Sequence, residues 1–157
     1  METLITPAQA VALAFADGEY LAPDAILDSD IAAATHRYIE PVAGSALCGA
    51  LAAGRYPALL ADYVAPALAM AVRTMVQRAL NVRTGQMGLT VPDCSGSQTA
   101  VQSAAAELQR SIVARRRALL ARLSDHLAAH ATEFPEYDAS RDAMKHCTID
   151  GGIVQIH

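Results

Sequence analysis

The chain lacks tryptophan altogether and carries only two phenylalanines and five tyrosines, so 4% of its 157 residues are aromatic. Alanine supplies about a fifth, a usage that favours helices with closely approaching backbones over sandwiches or barrels. Cysteine is scarce and scattered: Cys48, Cys94 and Cys147 have no CxxC spacing, which argues against a disulfide scaffold or a zinc knuckle and leaves three reduced thiols as the plain reading. Excess positive charge is missing too. A net charge of -4 gives no overall pull toward nucleic acid or an anionic membrane. The most apolar run, Tyr63 to Val72, is far below the roughly 20 residues that span a bilayer. Residues Met1, Glu2, Thr3 and Leu4 have neither the basic nor the long apolar region of a secretory signal, so a cytosolic, soluble protein is the expectation. GxSxG, P-loop and Rossmann fingerprints do not occur: the glycines at 85, 88, 151 and 152 lack the strand, turn and helix context.

What the chain does have is 53% hydrophobic residues, enough for the core of one domain, and one long helical pattern. Val101, Ala105, Leu108, Ile112, Arg116, Leu119, Leu123, Leu127, His130 and Phe134 recur at steps of three or four and line one face of a helix over 99–134. At about 1.5 Å per residue it would run roughly 50 Å, against a diameter of about 40 Å for a compact domain of this length. Such a helix either breaks or projects and is covered by another subunit. Arg116 interrupts its apolar stripe. A buried guanidinium must meet a carboxylate, reach water, or lie where the stripe leaves the core and meets a partner, and the helix length favours the partner.

Upstream, Thr6-Pro7-Ala8-Gln9 forms a helix start with a hydroxyl cap, proline at the first position and glutamine at the third, and the helix should end near Phe15. A second helix opens at Pro23-Asp24 or Ser29 with Leu27, Ile31, Ala34, Tyr38 and Val42 on its apolar face; Pro41 should kink it and Gly44 stop it. A short helix over 45–53, capped by Ser45 and ended by Gly54, precedes a major one from Pro57 to about Leu80. There Leu60, Val64, Ala67, Ala71, Met75 and Ala79 form the core stripe, Asp62, Pro66, Arg73 and Gln77 the wet side, and Pro66 should bend the axis.

Residues 81–97 change character. Glycines, a proline and polar residues forbid a helix, while Met87, Leu89 and Val91 alternate as in a short extended segment. Loops this long are usually functional or mobile, so 83–97 is either a protruding contact site or a plain connector. The stretch 147–157 reads as a hairpin or extended tail around Gly151-Gly152. The fold class is therefore all-α: a bundle of about four to five helices in a single domain over 1–146, with a long C-terminal helix, a long Gly/Pro loop and a C-terminal β-hairpin or arm over 147–157.

Candidate chemistry is thin. His126 and His130, four apart on one helix face, could offer two metal ligands, with a third from Asp125, Glu133 or elsewhere; the alternative places His130 at the apolar edge and His126 at a helix end that favours a cation. His146 and Cys147 point to opposite sides of an extended strand, which does not suit base and nucleophile. Asp28 with Asp30, and Asp138 with Asp142, read as caps and solvated turns. Arg110, Arg115, Arg116, Arg117 and Arg122 concentrate positive charge in mid-helix without neighbouring aromatic side chains that could stack on bases. No catalytic residue, metal or cofactor is expected.

The order of elements resembles the small helical connector (adaptor) proteins of tailed phages and prophages. The likeness runs through Asp30-Ile31, Ala34, Arg37-Tyr38-Ile39, Pro41 and Gly44, then Leu59-Leu60 and Tyr63-Val64-Ala65-Pro66-Ala67-Leu68, the Gly/Pro loop, the long helix and Ile149-Asp150-Gly151-Gly152. This resemblance implies a structural protein, not an enzyme, located in the virion or host cytoplasm. Its subunits would oligomerise in a ring between portal and tail proteins, with DNA possible in the lumen and no membrane partner. A ring needs heterologous surfaces that close by rotation. The residues expected at protein contacts are Arg83, Met87, Leu89, Val91, Arg116, Ile149, Ile153 and Ile156. A small helical protein-binding regulator is the first alternative, and a metal-dependent helical enzyme using His126 and His130 the second.

Overall fold

Thr6 opens the first helix as its sequence demands: Gln9 N–H donates to the Thr6 hydroxyl, and Gln9 Oε1 accepts from Thr6 N–H at 2.8 Å. The computed structural model describes residues 3–15, 21–80, 83–85, 88–90, 98–145, 147–150 and 153–156, and the chain is mostly helical. Helix α1 spans Pro7–Ala14, and a 3-10 turn, Pro23–Ala25, leads to α2, Asp28–Ala34. The axis of α2 continues through a π-turn, Thr35–Ile39, into α3, Glu40–Ala43, and α4 follows over Ser45–Ala52. Helix α5, Pro57–Leu59, passes through a second π-turn, Leu60–Val64, into α6, Ala65–Leu80. The longest helix, α7, is Gln98–Ala129.

Both π-turns stand immediately before an X-Pro pair, at the two places where a kink is expected from the prolines. Pro41 and Pro66 lack an N–H, and their rings clash with the carbonyl four residues back. The residue before each proline donates five residues back instead: Glu40 N–H to the Thr35 carbonyl, Ala65 N–H to the Leu60 carbonyl. The wider turn accommodates the proline without ending the rod. Two glycines do break the path. Gly44, at φ 84°, ends α3 and caps α4, so Ser45 is the first helical residue of α4 rather than its cap, and Gly54, at φ 79°, follows the end of α4.

Helix α6 is the centre of the core. Ala65, Ala67, Leu68, Ala69, Met70, Ala71 and Val72 are buried, and α1, α2 and α7 pack around them. Pro57 to Leu80 is long and apolar enough to cross a membrane, with a mean hydropathy of 1.4, but 61% of that window is buried inside the bundle. The expected wet side of this helix is only half wet. Asp62 is exposed, whereas Arg73 and Gln77 are buried because α1 covers them. Arg73 Nη1 donates to the Ala14 carbonyl at 2.5 Å, satisfying a carbonyl at the end of α1, its Nε donates to Gln77 Oε1 at 3.1 Å, and its guanidinium lies 4.5 Å from the Phe15 ring centre. Leu27, expected on the apolar face of α2, is instead 60% exposed and lies one residue before the helix.

Backbone pairing joins β1, Arg83–Gly85, to β2, Gly88–Thr90, and β3, Cys147–Asp150, to β4, Ile153–Ile156, each antiparallel. The region 81–97 is thus not uniformly loop, although most of it lies outside the described residues. Around 134–142 the chain folds back on the bundle. Phe134 and Tyr137 are buried, and Ala143 N–H donates to the Pro41 carbonyl at 2.9 Å. Asp142, expected in a solvated turn, is 1% exposed. Its Oδ2 accepts from Ser124 Oγ at 2.6 Å and from the Tyr137 hydroxyl at 2.8 Å, and its Oδ1 accepts from Met144 N–H at 2.8 Å. Asp138 does what its sequence suggests, accepting from Ser140 N–H and hydroxyl.

Candidate functional site

Helix α7 changes environment along its length. From 103 to 108 every residue is exposed, including Leu108 at 37%, and the next buried position after them is Ile112. Leu120, Leu123, Ser124 and Leu127 then enter the core. The apolar stripe read from the sequence is correct only in this second half. Ala105 and Leu108 face solvent, and the helix ends at Ala129, so Phe134 reaches the core from the following turn rather than from the helix. Among these exposed residues, Ala105 and Ala106 border a cleft of about 410 Å³ together with Arg78 of α6.

Two tyrosines, each at the fourth place of a π-turn, meet the arginines of α7. The guanidinium of Arg116 lies 4.3 Å from the centre of the Tyr38 ring, and that of Arg122 lies 4.5 Å from Tyr63. Arg116 is half-buried with a buried Nε that has no hydrogen-bond partner. The interruption of the stripe is therefore met by an aromatic face, not by a carboxylate, a contact that a guanidinium makes well. Both tyrosines stand three residues before a proline, a pairing of Tyr-Ile-Glu-Pro with Tyr-Val-Ala-Pro that was the available sequence signal.

At the C-terminal end of α7, Tyr56, Tyr63 and Phe134 gather with two histidines. His126 stacks on Tyr63 with ring centres 3.9 Å apart, His130 follows at 4.3 Å, and Tyr56 meets Phe134 edge-on at 5.1 Å. An open cleft of about 440 Å³ lies beside them, its lining including Tyr56, Leu59, Asp62, Tyr63, His126 and Phe134. Tyr56 adopts a left-handed backbone, φ 57°, uncommon for a bulky residue. Its hydroxyl donates to Glu136 Oε2 at 3.0 Å and accepts from Arg55 Nη2 at 2.9 Å, while Arg55 Nη1 closes an ion pair with Glu136. Burial and then the hydrogen bond to Glu136 raise the Tyr56 hydroxyl above its usual pKa. Burial also pushes the Glu136 carboxyl up, but its backbone hydrogen bond, Tyr56 and Arg55 outweigh this and leave it below the usual carboxylate value.

The histidine pair is arranged for stacking. His126 is held below its ordinary pKa by burial first and by His130 second, which works against the cation expected at the helix end. The Nδ1 of His130 lies 3.0 Å from the His126 carbonyl and donates to it, and the two imidazoles face each other at 34°. Among the described residues no group of three or more histidine, cysteine, aspartate or glutamate side chains comes together. Cys48, buried on α4, has its thiol pushed up to about 11 by burial and by Glu40, the opposite of a reactive thiolate.

Of the residues expected at protein contacts, Arg116 is placed on Tyr38. Arg83 and Leu89 fall on β1 and β2, where Arg83 pairs with Thr90 and Thr84 with Leu89. Ile149 pairs with Val154, Cys147 with Ile156 and Ile153 with Asp150 in the backbone register of the same ladder. Met87 and Val91, like Cys94 and His146, lie outside the described residues. A profile of DUF6712, a family of unknown function, matches residues 24–146. No curated protein and no solved structure matches the chain.

Proposed function

The chain belongs to the DUF6712 family, and from its own residues we propose that it is a structural assembly protein, a phage or prophage head-to-tail connector subunit that forms a ring between portal and tail. The observation that carries this reading is the start of α7. A helix of 32 residues runs about 48 Å, and its residues 103–108 stand in solvent beyond the core that buries Ile112, Leu123 and Leu127. A soluble helix end of this kind, alanine-rich and bearing an exposed leucine, suits cover by a neighbouring subunit. The segments 83–97 and 147–157 would be the adaptable arms, the second as a C-terminal hairpin. Strand addition would give the 147–157 arm affinity through its backbone and register through Ile149, Ile153 and Ile156. Portal and tail proteins are the partners of such a ring, DNA is a candidate for its lumen, and the virion or host cytoplasm is its place.

The test is native mass spectrometry of the full chain beside a variant ending at residue 146. Rings from the full chain and their loss in the truncated one, with helix content unchanged by circular dichroism, are expected. Retained assembly would remove the arm from the account. A protein-binding regulator is the second reading, favoured by the aromatic cleft beside Tyr56 and Phe134; a stable monomer or dimer that binds a peptide there would favour it over the ring.

A further inference from the structure

Charge is distributed unevenly along this acidic chain. Residues 109–123 hold five of its twelve basic side chains and no acid, whereas the first 36 residues hold six acids and neither lysine nor arginine. Arg116 is turned inward onto Tyr38, and Arg122, though exposed, lies over Tyr63. Arg110, Arg115 and Arg117 are exposed, and at 3.6 residues per turn they fall within an arc of about 160° on the outward side of α7. Ala114 and Ala118 lie between them on that side, both exposed, and Ala121 is half-buried, so a neighbouring backbone can approach closely. At the entry to α2, Asp24 and Asp28 are exposed and flank Leu27, which is 60% exposed. Among the described residues the ion pairs join other groups: Arg55 with Glu136, Arg141 with Asp138, Lys145 with Asp125, and His36 with Glu40. The two opposite patches do not pair within one molecule.

We infer that the arginine side of α7 docks on the Asp24–Leu27–Asp28 patch of a second copy of this chain. The contact is heterologous, since one patch meets a different one on its neighbour, and this is the interface type that generates a ring when the rotation closes. Leu27 and the exposed Leu108 provide apolar contact beside the charge pairs, and the charges fix register and partner choice more than total affinity. The inference rests on the assembly reading and specifies which surfaces meet.

Self-association is measured by sedimentation velocity for the wild type, for the α7 variant R110E/R115E/R117E, for the α2 variant D24K/D28K, and for a mixture of the two variants. Each variant alone should associate about tenfold or more weakly than the wild type, with helix content unchanged, and the mixture should recover association. Wild-type association should weaken as salt rises. Assembly that ignores both charge reversals would overturn this interface while leaving the ring intact. Absence of wild-type association would overturn both. Tight binding of duplex DNA by the wild type, lost in the α7 variant while self-association persists, would assign the arginines to nucleic acid instead.

Discussion

Replacing Asp142 by asparagine should destabilise the protein by about 3 kcal/mol. The carboxylate is 1% exposed and accepts three hydrogen bonds, from Ser124 Oγ, the Tyr137 hydroxyl and Met144 N–H. A hydrogen bond to a charged group contributes roughly 1.5–3 kcal/mol and a neutral one about half that. Asparagine keeps the shape but has one acceptor oxygen. If that oxygen faces Met144, the amide NH2 faces the two hydroxyls, which can rotate to accept but lose the charge. If it faces the hydroxyls, two N–H donors oppose each other at Met144. For a domain of this size 3 kcal/mol corresponds to a fall in Tm of roughly 6–12 °C. Thermal and urea melts followed by circular dichroism provide the values. Y137F removes one of the three bonds and should cost about 1.5 kcal/mol, and the pair D142N/Y137F should cost less than the sum because the residues share that bond. A D142N protein within about 0.5 kcal/mol of wild type, or strict additivity with Y137F, would refute the view that this carboxylate pins the returning chain to α7.

Tyr137 has its pKa raised by burial first and then by its bond to Asp142. Stability should therefore hold below the ordinary tyrosine value of 10.0 and fall as pH rises beyond it, because the unfolded chain ionises first; Y137F should show a smaller alkaline loss in pH-dependent melts. His126 has its pKa lowered, so its contribution is present above the ordinary 6.5 and is lost as pH falls through the depressed folded value. H126F, which keeps a ring against Tyr63, should lose less stability than wild type between neutral and mildly acidic pH, and parallel Tm curves would contradict this. Cys48, with its thiol pushed up to about 11, should react slowly with a disulfide reagent at pH 8 in a C94S/C147S background and rapidly once urea unfolds the chain; fast native labelling would disprove its burial.

Local signals were readable where chemistry within a few residues decides structure. The Thr6–Gln9 capping box, the stops at Gly44 and Gly54 and the long apolar helix from Pro57 to Leu80 follow from hydrogen bonds, φ and periodicity alone. Proline positions announced a disturbance at 41 and 66, but a π-turn rather than a kink depends on the surrounding core that keeps the rod continuous. Arg73 and Asp142 were misplaced because their polarity argues for water, while burial comes from partners distant in sequence: the end of α1 for one, Ser124 and Tyr137 for the other. The same holds for the candidate site. The spacing of His126 and His130 placed them on one face, but the stacking on Tyr63 that occupies them comes from a residue 63 positions away. Arg116 was legible as an anomaly in its stripe, and its resolution by Tyr38 required tertiary structure.

The mass of the purified full-length chain in solution, followed by sedimentation velocity from micromolar to near-millimolar concentration, tests the assembly account most directly. A closed ring of more than two copies is predicted, with the exposed start of α7 protected from hydrogen exchange in the ring and unprotected on dilution. A monomer at every concentration, with that helix end exchanging freely throughout, would contradict it.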